Sequence, residues 1–398
     1  LRTIMANDIL TPTAVTRESL RVFHEKAKFI RSINKQYDSS FAVEGAKIGD
    51  SLKIKMPNRY TVRSGINMAA QDTTETSATL QVATVKGVDL NFTSQDLTMD
   101  LDSFSRQIIE PAMSVLAASI ESDVLNSVIK DVYQSSNNTS AAATLANVAG
   151  GRKKLQDALV PDDNRFCLLN TSDNLNLVDS LKVLFAPNGS ISKQYQSGVM
   201  GNALGMDFME STYLNNQARG AGASYVVNGA NQTGATITIG TGTGLIDVGS
   251  IITFAGCNRV HPETKADTGQ LQQFVVTATN ATNATTVTIS PAIVITGANQ
   301  NCAAAPTTTG AVTILGTAST NYGQSLVYHK DAFTFATADL AMPKGVDFAA
   351  REVMDGISMS IVRDFSISDR TFPCRLDVLY GFKTLRAEAA CRLANLAG

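Results

Sequence analysis

The sequence predicts an α+β protein that carries a small all-β domain inserted into it. Three observations point there. Residues 42–95 alternate as extended strands do and run into a long helical pattern over 102–134. Residues 214–320 change to short Thr/Val/Ile runs separated by Gly, Asn and Pro, and mixed patterns flank that region on both sides. A chain of 398 residues is too long for one simple core, so two or three packed units are expected.

The elements follow in order. Thr11-Pro12-Thr13 is a helix start, and Leu20, Phe23, Ala27 and Ile30 form one apolar stripe behind it. Arg17, Arg21, Glu25 and Lys28 ring the other side, which fits either a surface helix or an arm laid on a neighbouring subunit. Leu52, Ile54 and Met56 alternate with Lys53 and Lys55 as a half-buried strand, and Arg59 to Arg63 resumes it after Pro57-Asn58. Ala69 to Ser77 reads as loop. Ala78 to Val85 and Val88 to Thr93 return as strand, with Lys86-Gly87 suited to a bulge. A two-stranded ribbon is not stable alone, so it must lie on something.

From Phe104 an apolar residue recurs every fourth position through Ile108, Ala112, Leu116, Ile120, Val124, Val128 and Val132. Asp102 or Ser103 is the expected N-cap. Pro111 must kink this rod or sit in the first turn of a second helix. Residues 135–150 read as a linker. Helix is expected over Arg152–Leu159 and over Ser172–Leu184, capped by Ser172, with a short strand at Phe166–Leu169 between them.

Strands are expected at Thr236–Ile239, Ile251–Phe254, Phe274–Thr279, Thr286–Ser290, Ile293–Ile295 and Val312–Leu315. From Thr268 to Tyr328 there is no Asp, Glu, Lys or Arg, the mark of a small barrel or sandwich whose surface is polar without charge. The end of the chain reads as a strand at Arg375–Phe382 and a short helix at Arg386–Leu396.

Composition narrows the function. Basic residues number 33 and acidic 35, a net charge of −2, so nothing favours tight phosphate neutralisation. Trp is absent and aromatics are 6%, which argues against base-stacking platforms. The first ten residues carry Arg2 and Asp8 without a long apolar run, so no secretory signal is expected there, and no apolar run approaches a membrane span. The five cysteines lack C-x-x-C spacing and fit reduced thiols, although a Cys257–Cys302 pair within one β region is geometrically feasible.

No catalytic constellation emerges. His24, His261 and His329 lie in different segments without metal-ligand spacing. Gly240-Thr-Gly-Thr-Gly244 looks like a phosphate loop, but β-like sequence follows it where a helix would be required, so it reads as a turn. No G-x-S-x-G elbow is present, and the carboxylates sit at cap and surface positions. An extended hairpin followed by a rigid rod, with no chemistry on either, is the design of an assembly protein that grips copies of itself.

Specific motifs sharpen this. Lys47-Ile-Gly-Asp-Ser-Leu-Lys-Ile54, Arg59-Tyr-Thr-Val-Arg-Ser-Gly65, Gln71-Asp-Thr73, Lys86-Gly-Val-Asp89 and Thr93-Ser-Gln-Asp-Leu-Thr98 resemble the coat proteins of short-tailed double-stranded DNA phages, within the Salmonella podophage coat family. Asp377-Val-Leu-Tyr-Gly-Phe-Lys-Thr-Leu-Arg386 resembles that family's end. The resemblance implies a tailed-phage major-capsid fold. Its parts would be an N-terminal arm over 1–40, an extended loop over 41–98, a peripheral domain with the spine helix over 99–144, axial halves at 145–213 and 321–375, an inserted β domain at 214–320, and a C-terminal return at 376–398.

It further implies a major capsid protein forming hexamers and pentamers of an icosahedral shell around packaged DNA, with no cofactor, no enzyme activity and no membrane. DNA would meet the inner face without sequence-specific binding. Scaffolding and portal proteins would be partners during assembly, with a decoration protein allowed. Inter-subunit contact would fall on Arg59, Tyr60, Arg63, Asp72 and Glu75 of the extended loop, and on Arg259, Glu263, Lys265 and Asp267 of the insertion. Some capsids of this fold form Lys–Asn cross-links; Gly65 to Thr76 holds no Lys, so none is expected. The alternative within the fold is a bacterial encapsulin-like nanocompartment shell.

Overall fold

The computed structural model describes residues 12–38, 51–62, 65–68, 70, 77–93, 105–136, 143–180, 201–278, 282–368 and 371–396. In chain order the first half holds α1 (Pro12–Lys26), α2 (Lys28–Ser32), β1 (Asn34–Asp38), β2 (Ser51–Lys55), β3 (Ser77–Gln81), β4 (Thr84–Thr93), α3 (Glu110–Asp131), α4 (Leu145–Asp157), β5 (Arg165–Leu169), α5 (Thr171–Ser180), β6 (Asn202–Ala203) and β7 (Met206–Glu210). There follow β8 (Gln217–Arg219), β9 (Val226–Val227), β10 (Gly234–Gly240), β11 (Ile251–Val260), β12 (Asp267–Val276), β13 (Thr286–Ile293), β14 (Val312–Ile314), β15 (Thr320–His329), β16 (Phe333–Ala338), β17 (Phe348–Met354), β18 (Ile357–Arg363), β19 (Thr371–Thr384) and β20 (Ala390–Leu396). The chain divides into two compact units. One comprises Leu1–Ile54, Ser77–Val124 and Phe333–Lys383, and the other comprises Lys55–Thr76, Leu125–Ala332 and Thr384–Gly398.

The first unit is built on a sheet in the order β1-β16-β19-β18-β17, with β4 also paired to β19. The expected stripe of α1 and α2 is buried (Leu20, Phe23, Ala27 and Ile30), and α1 packs on β17 and β18 of its own chain. Phe29 meets Phe333 at 5.8 Å between ring centroids, and Phe335 stacks on Tyr380 at 5.6 Å. The bulge expected at Lys86-Gly87 is absent. β4 pairs with β19 in unbroken register, Lys86 opposite Val378 and Gly87 opposite Asp377. A Cβ at Gly87 would strike the Asp377 side chain and come within 2.5 Å of the Leu376 carbonyl, so the glycine serves close approach.

The fourfold apolar seam is confirmed from Ala112 to Val132, all buried. The α-helix itself starts at Glu110, after a π-helical turn over Ser105–Ile109. Pro111 therefore follows directly on the π-helical turn, and that local widening of the helical ladder accommodates its missing N–H. The caps expected at Asp102 or Ser103 fall outside the described residues. By length and composition Gln107–Asp131 could cross a membrane, but more than half of its apolar stretch is buried within the protein.

In the second unit one sheet runs β20-β15-β5-β7-β6, with β8 paired to β15. Two local expectations fail here. The linker ends early, because Thr144 caps α4 at Leu145 through the Asn147 backbone. The cap of α5 is Asn170, whose Oδ1 accepts the Asp173 N–H at 2.7 Å, and not Ser172. The expected C-terminal helix is also absent. Ala387–Ala389 form a 3-10 turn, and β20 pairs antiparallel along β15, Tyr328 opposite Ala390 through Tyr322 opposite Leu396. An eleven-residue helix is marginal on its own, whereas the edge of β15 offers a full ladder.

The inserted domain is a six-stranded antiparallel sheet, β14-β11-β12-β13-β10-β9. Val227 N–H donates to the Gly310 carbonyl and Val312 N–H to that of Tyr225, both at 2.9 Å, which joins the first strand to the last. Closure removes the sheet edges and encloses a core of Val227, Ile237, Ile239, Phe254, Phe274 and Val287. Cys257 and Cys302 are free thiols in that core, with sulfurs 2.9 Å apart. Gly240 to Gly244 is a turn after β10, and Gly242 packs where a side chain would strike Tyr225.

Candidate assembly surface

The segment after β2 leaves the sheet because Pro57 cannot donate to a ladder. Beyond it the chain exposes apolar side chains where polar ones are expected: Tyr60 is 58% exposed, Val62 96%, Ile66 97% and Met68 85%. Scattered exposed apolar residues are ordinary, but these four fall close together within one segment of the chain. Arg59 is anchored in its own chain, Nη2 to Glu388 Oε1 at 3.2 Å, and Arg386 approaches the same carboxylate at 3.5 Å. Arg63, Asp72 and Glu75 lie outside the described residues.

The charged turn between β11 and β12 is largely satisfied from within. Arg259 pairs with Asp157 at 3.0 Å. Lys265 Nζ donates to the carbonyls of Ala298 at 2.8 Å and Gln300 at 3.2 Å, and burial lowers its pKa. Asp267 accepts the Gly269 N–H at 2.8 Å and the Asn258 amide at 3.1 Å, which together lower its pKa. Glu263 and Asp267 are both exposed and form no ion pair among the described residues, but Asp267 is held by the Gly269 N–H and the Asn258 amide. Arg59 lies within electrostatic reach of the turn, since its charge adds to burial in lowering the pKa of Lys265. Reading the sequence missed Glu388 and the exposed row, although Val62 and Ile66 within a polar stretch were the signal for the latter.

The histidines have separate local roles. His24 lies 3.3 Å from Asp355, His329 lies 3.7 Å from Asp331, and His261 Nδ1 accepts turn N–H groups. Among the described residues no group of three or more His, Cys, Asp or Glu could hold a metal.

A family model described as P22 coat protein, gene protein 5, matches residues 13–393. The chain belongs to the P22 coat protein family. This coat protein is therefore a major capsid protein, a structural subunit whose copies form the phage shell, and its place is the virion. Its fold is the tailed-phage major-capsid fold with an inserted β domain. Among solved structures, the capsid of Cyanophage P-SCSP1u is similar over 92% of this chain and 87% of that one, at 11% identity and a TM-score of 0.44. A Mycobacterium phage Che8 structure is similar over 90% and 88%, at 12% identity and a TM-score of 0.41. The CUS-3 coat protein I-domain is 33% identical over 24% of this chain and 96% of that one, with a TM-score of 0.19. No curated protein sequence matches the chain.

Proposed function

We propose that copies of this coat protein assemble into hexamers and pentamers of an icosahedral shell enclosing double-stranded DNA, and that the loop following β2 grips the neighbouring subunit. The exposed row Tyr60, Val62, Ile66 and Met68 carries this reading, since burying it needs a partner surface. Arg59, Arg63, Asp72 and Glu75 of the same segment are its proposed polar contact residues. Glu263, at the tip of the charged turn, is a second contact toward an adjacent capsomer. An exposed ion pair contributes only about 0–1 kcal/mol. Stability of the shell then rests on apolar burial repeated over many subunits. Scaffolding and portal proteins join during assembly, and DNA meets the inner face through no sequence-specific contact, consistent with a net charge of −2.

The parts of the chain are read accordingly: arm 1–40, extended loop 41–98, peripheral domain 99–144, axial halves 145–213 and 321–375, insertion 214–320, and C-terminal return 376–398. The test is the double variant Arg59→Glu, Arg63→Glu. It should give a folded subunit that makes no shells under the electron microscope. Normal shells from it would remove the two arginines from the gripping role. Particles that carry an enzyme in place of DNA would favour the nanocompartment reading.

A further inference from the structure

Arg392 lies within β20 and is 2% exposed. Its Nη2 donates to the Gly249 carbonyl at 2.8 Å, while its Nε has no protein partner. Among the described residues it forms no ion pair. Burial pulls its pKa down to about 10, so it is still a cation at neutral pH. A buried cation without a counter-charge is one of the costliest arrangements a fold can hold.

A half-enclosed cavity of ≈ 30 Å³ is lined by Arg392 together with Arg219, Ser250 and Gln324. Arg219 Nε and Ser250 Oγ also lack protein partners, as does the acceptor Gln324 Oε1. Ser250 is 5% exposed and Gln324 2%. No carboxylate lines the space. Asp131 acts on Arg392 only as a more distant charge, and it accepts the Thr384 hydroxyl at 2.8 Å. Two guanidinium groups and a hydroxyl thus border a space with no negative charge in its wall. One water needs roughly 10–15 Å³ by the same measure, so a water-sized ion and a water fit, whereas a larger oxyanion is crowded out.

We propose that this cavity is a halide site, a chloride held by Arg219, Arg392 and Ser250, with an accompanying water donating to Gln324 Oε1. Its position gives it a purpose. Arg219 on β8 is where the chain enters the inserted barrel, and Gln324 on β15 is where it leaves. Ser250 immediately precedes β11 of the barrel, and Arg392 belongs to the C-terminal strand. The ion ties these four at the root of the insertion.

The test is thermal unfolding of the full-length subunit in sodium chloride, sodium bromide and sodium gluconate at equal ionic strength and pH. The two halides should raise the midpoint by several degrees, saturating in the millimolar range, and gluconate should lack that saturable rise. Arg219→Gln, at a partly exposed position that tolerates change, should fold and lose the halide response, and Arg392→Met should lose it too if it folds. Crystals grown in bromide should show anomalous density within hydrogen-bond distance of Arg392 Nε. Equal behaviour in all three salts with water alone in the cavity would overturn the proposal. Bromide density without any halide response would mean an adventitious ion only, and would overturn it equally.

Discussion

The Glu121 carboxylate accepts the backbone N–H of Phe29 at 3.0 Å while only 1% exposed. This contact pins the start of α2 to α3, across 92 residues of sequence. Burial lifts the Glu121 pKa to about 7, partly offset by the Phe29 N–H and by the charge of Lys28. Between the ordinary value of 4.5 and about 7 the folded state binds more protons than the unfolded state. Stability from this group is therefore full below that window and is lost as pH rises through it, on the order of 3 kcal/mol. Glu121→Gln should withstand more urea than the parent at pH 8, with the difference shrinking toward pH 5. Equal urea midpoints at pH 8 would refute the assignment.

Gly381 on β19 sits where a Cβ would strike the Gln81 carbonyl and the Val82 backbone. Backbone cannot give way as a flexible side chain can, so β19 and the end of β3 must move apart to admit even a methyl group. Gly381→Ala is expected to cost at least about 2 kcal/mol, the range of overpacked or strained core substitutions. Denaturant unfolding of the purified subunit checks this, and a loss under half a unit would show that β3 moves freely.

Asp173, 1% exposed, accepts the Ser325 hydroxyl at 2.5 Å and the Ala143 N–H at 2.9 Å, tying α5, β15 and the lead into α4. Removing the acceptor strands both donors. Asp173→Ala should destabilise by about 2–4 kcal/mol, and Asp173→Asn by less, because its amide oxygen keeps one of the two bonds. Equal losses for the two variants would place the effect in packing alone.

What could be read in the sequence was whatever repeats locally. The seam from Ala112 to Val132 and the stripe from Leu20 to Ile30 follow helical period, and both are buried as expected. The barrel strands were visible because alternation and turn residues are short-range signals. What was hidden depends on partners far along the chain. Ala390 to Leu396 has helix-compatible composition and becomes strand only because β15 lies beside it. Gly87 resembled a bulge until Asp377 was placed opposite it. Arg59 showed itself as a contact residue, but its pairing with Glu388 spans 329 residues and has no local trace. Arg219 and Arg392 carried no motif, and their significance comes from burial and a shared cavity.

The exposed row on the loop after β2 separates folding from assembly most cleanly. Val62 and Ile66 are 96% and 97% exposed, so neither contributes packing to the isolated subunit. Surface changes of this kind shift stability by about 0.5 kcal/mol or less. Val62→Asp with Ile66→Asp should therefore leave the thermal midpoint of the subunit nearly unchanged. In the shell the same two side chains would be buried against a neighbour, and each carboxylate would be trapped without a counter-charge, at several kcal/mol apiece. Multiplied over every subunit contact, that is enough to stop closure. Sedimentation should show folded subunits and no shells under conditions where the parent assembles. If the double variant builds shells at the parent rate, the row is not an interface, and the loop must act through Arg59 and its polar neighbours alone.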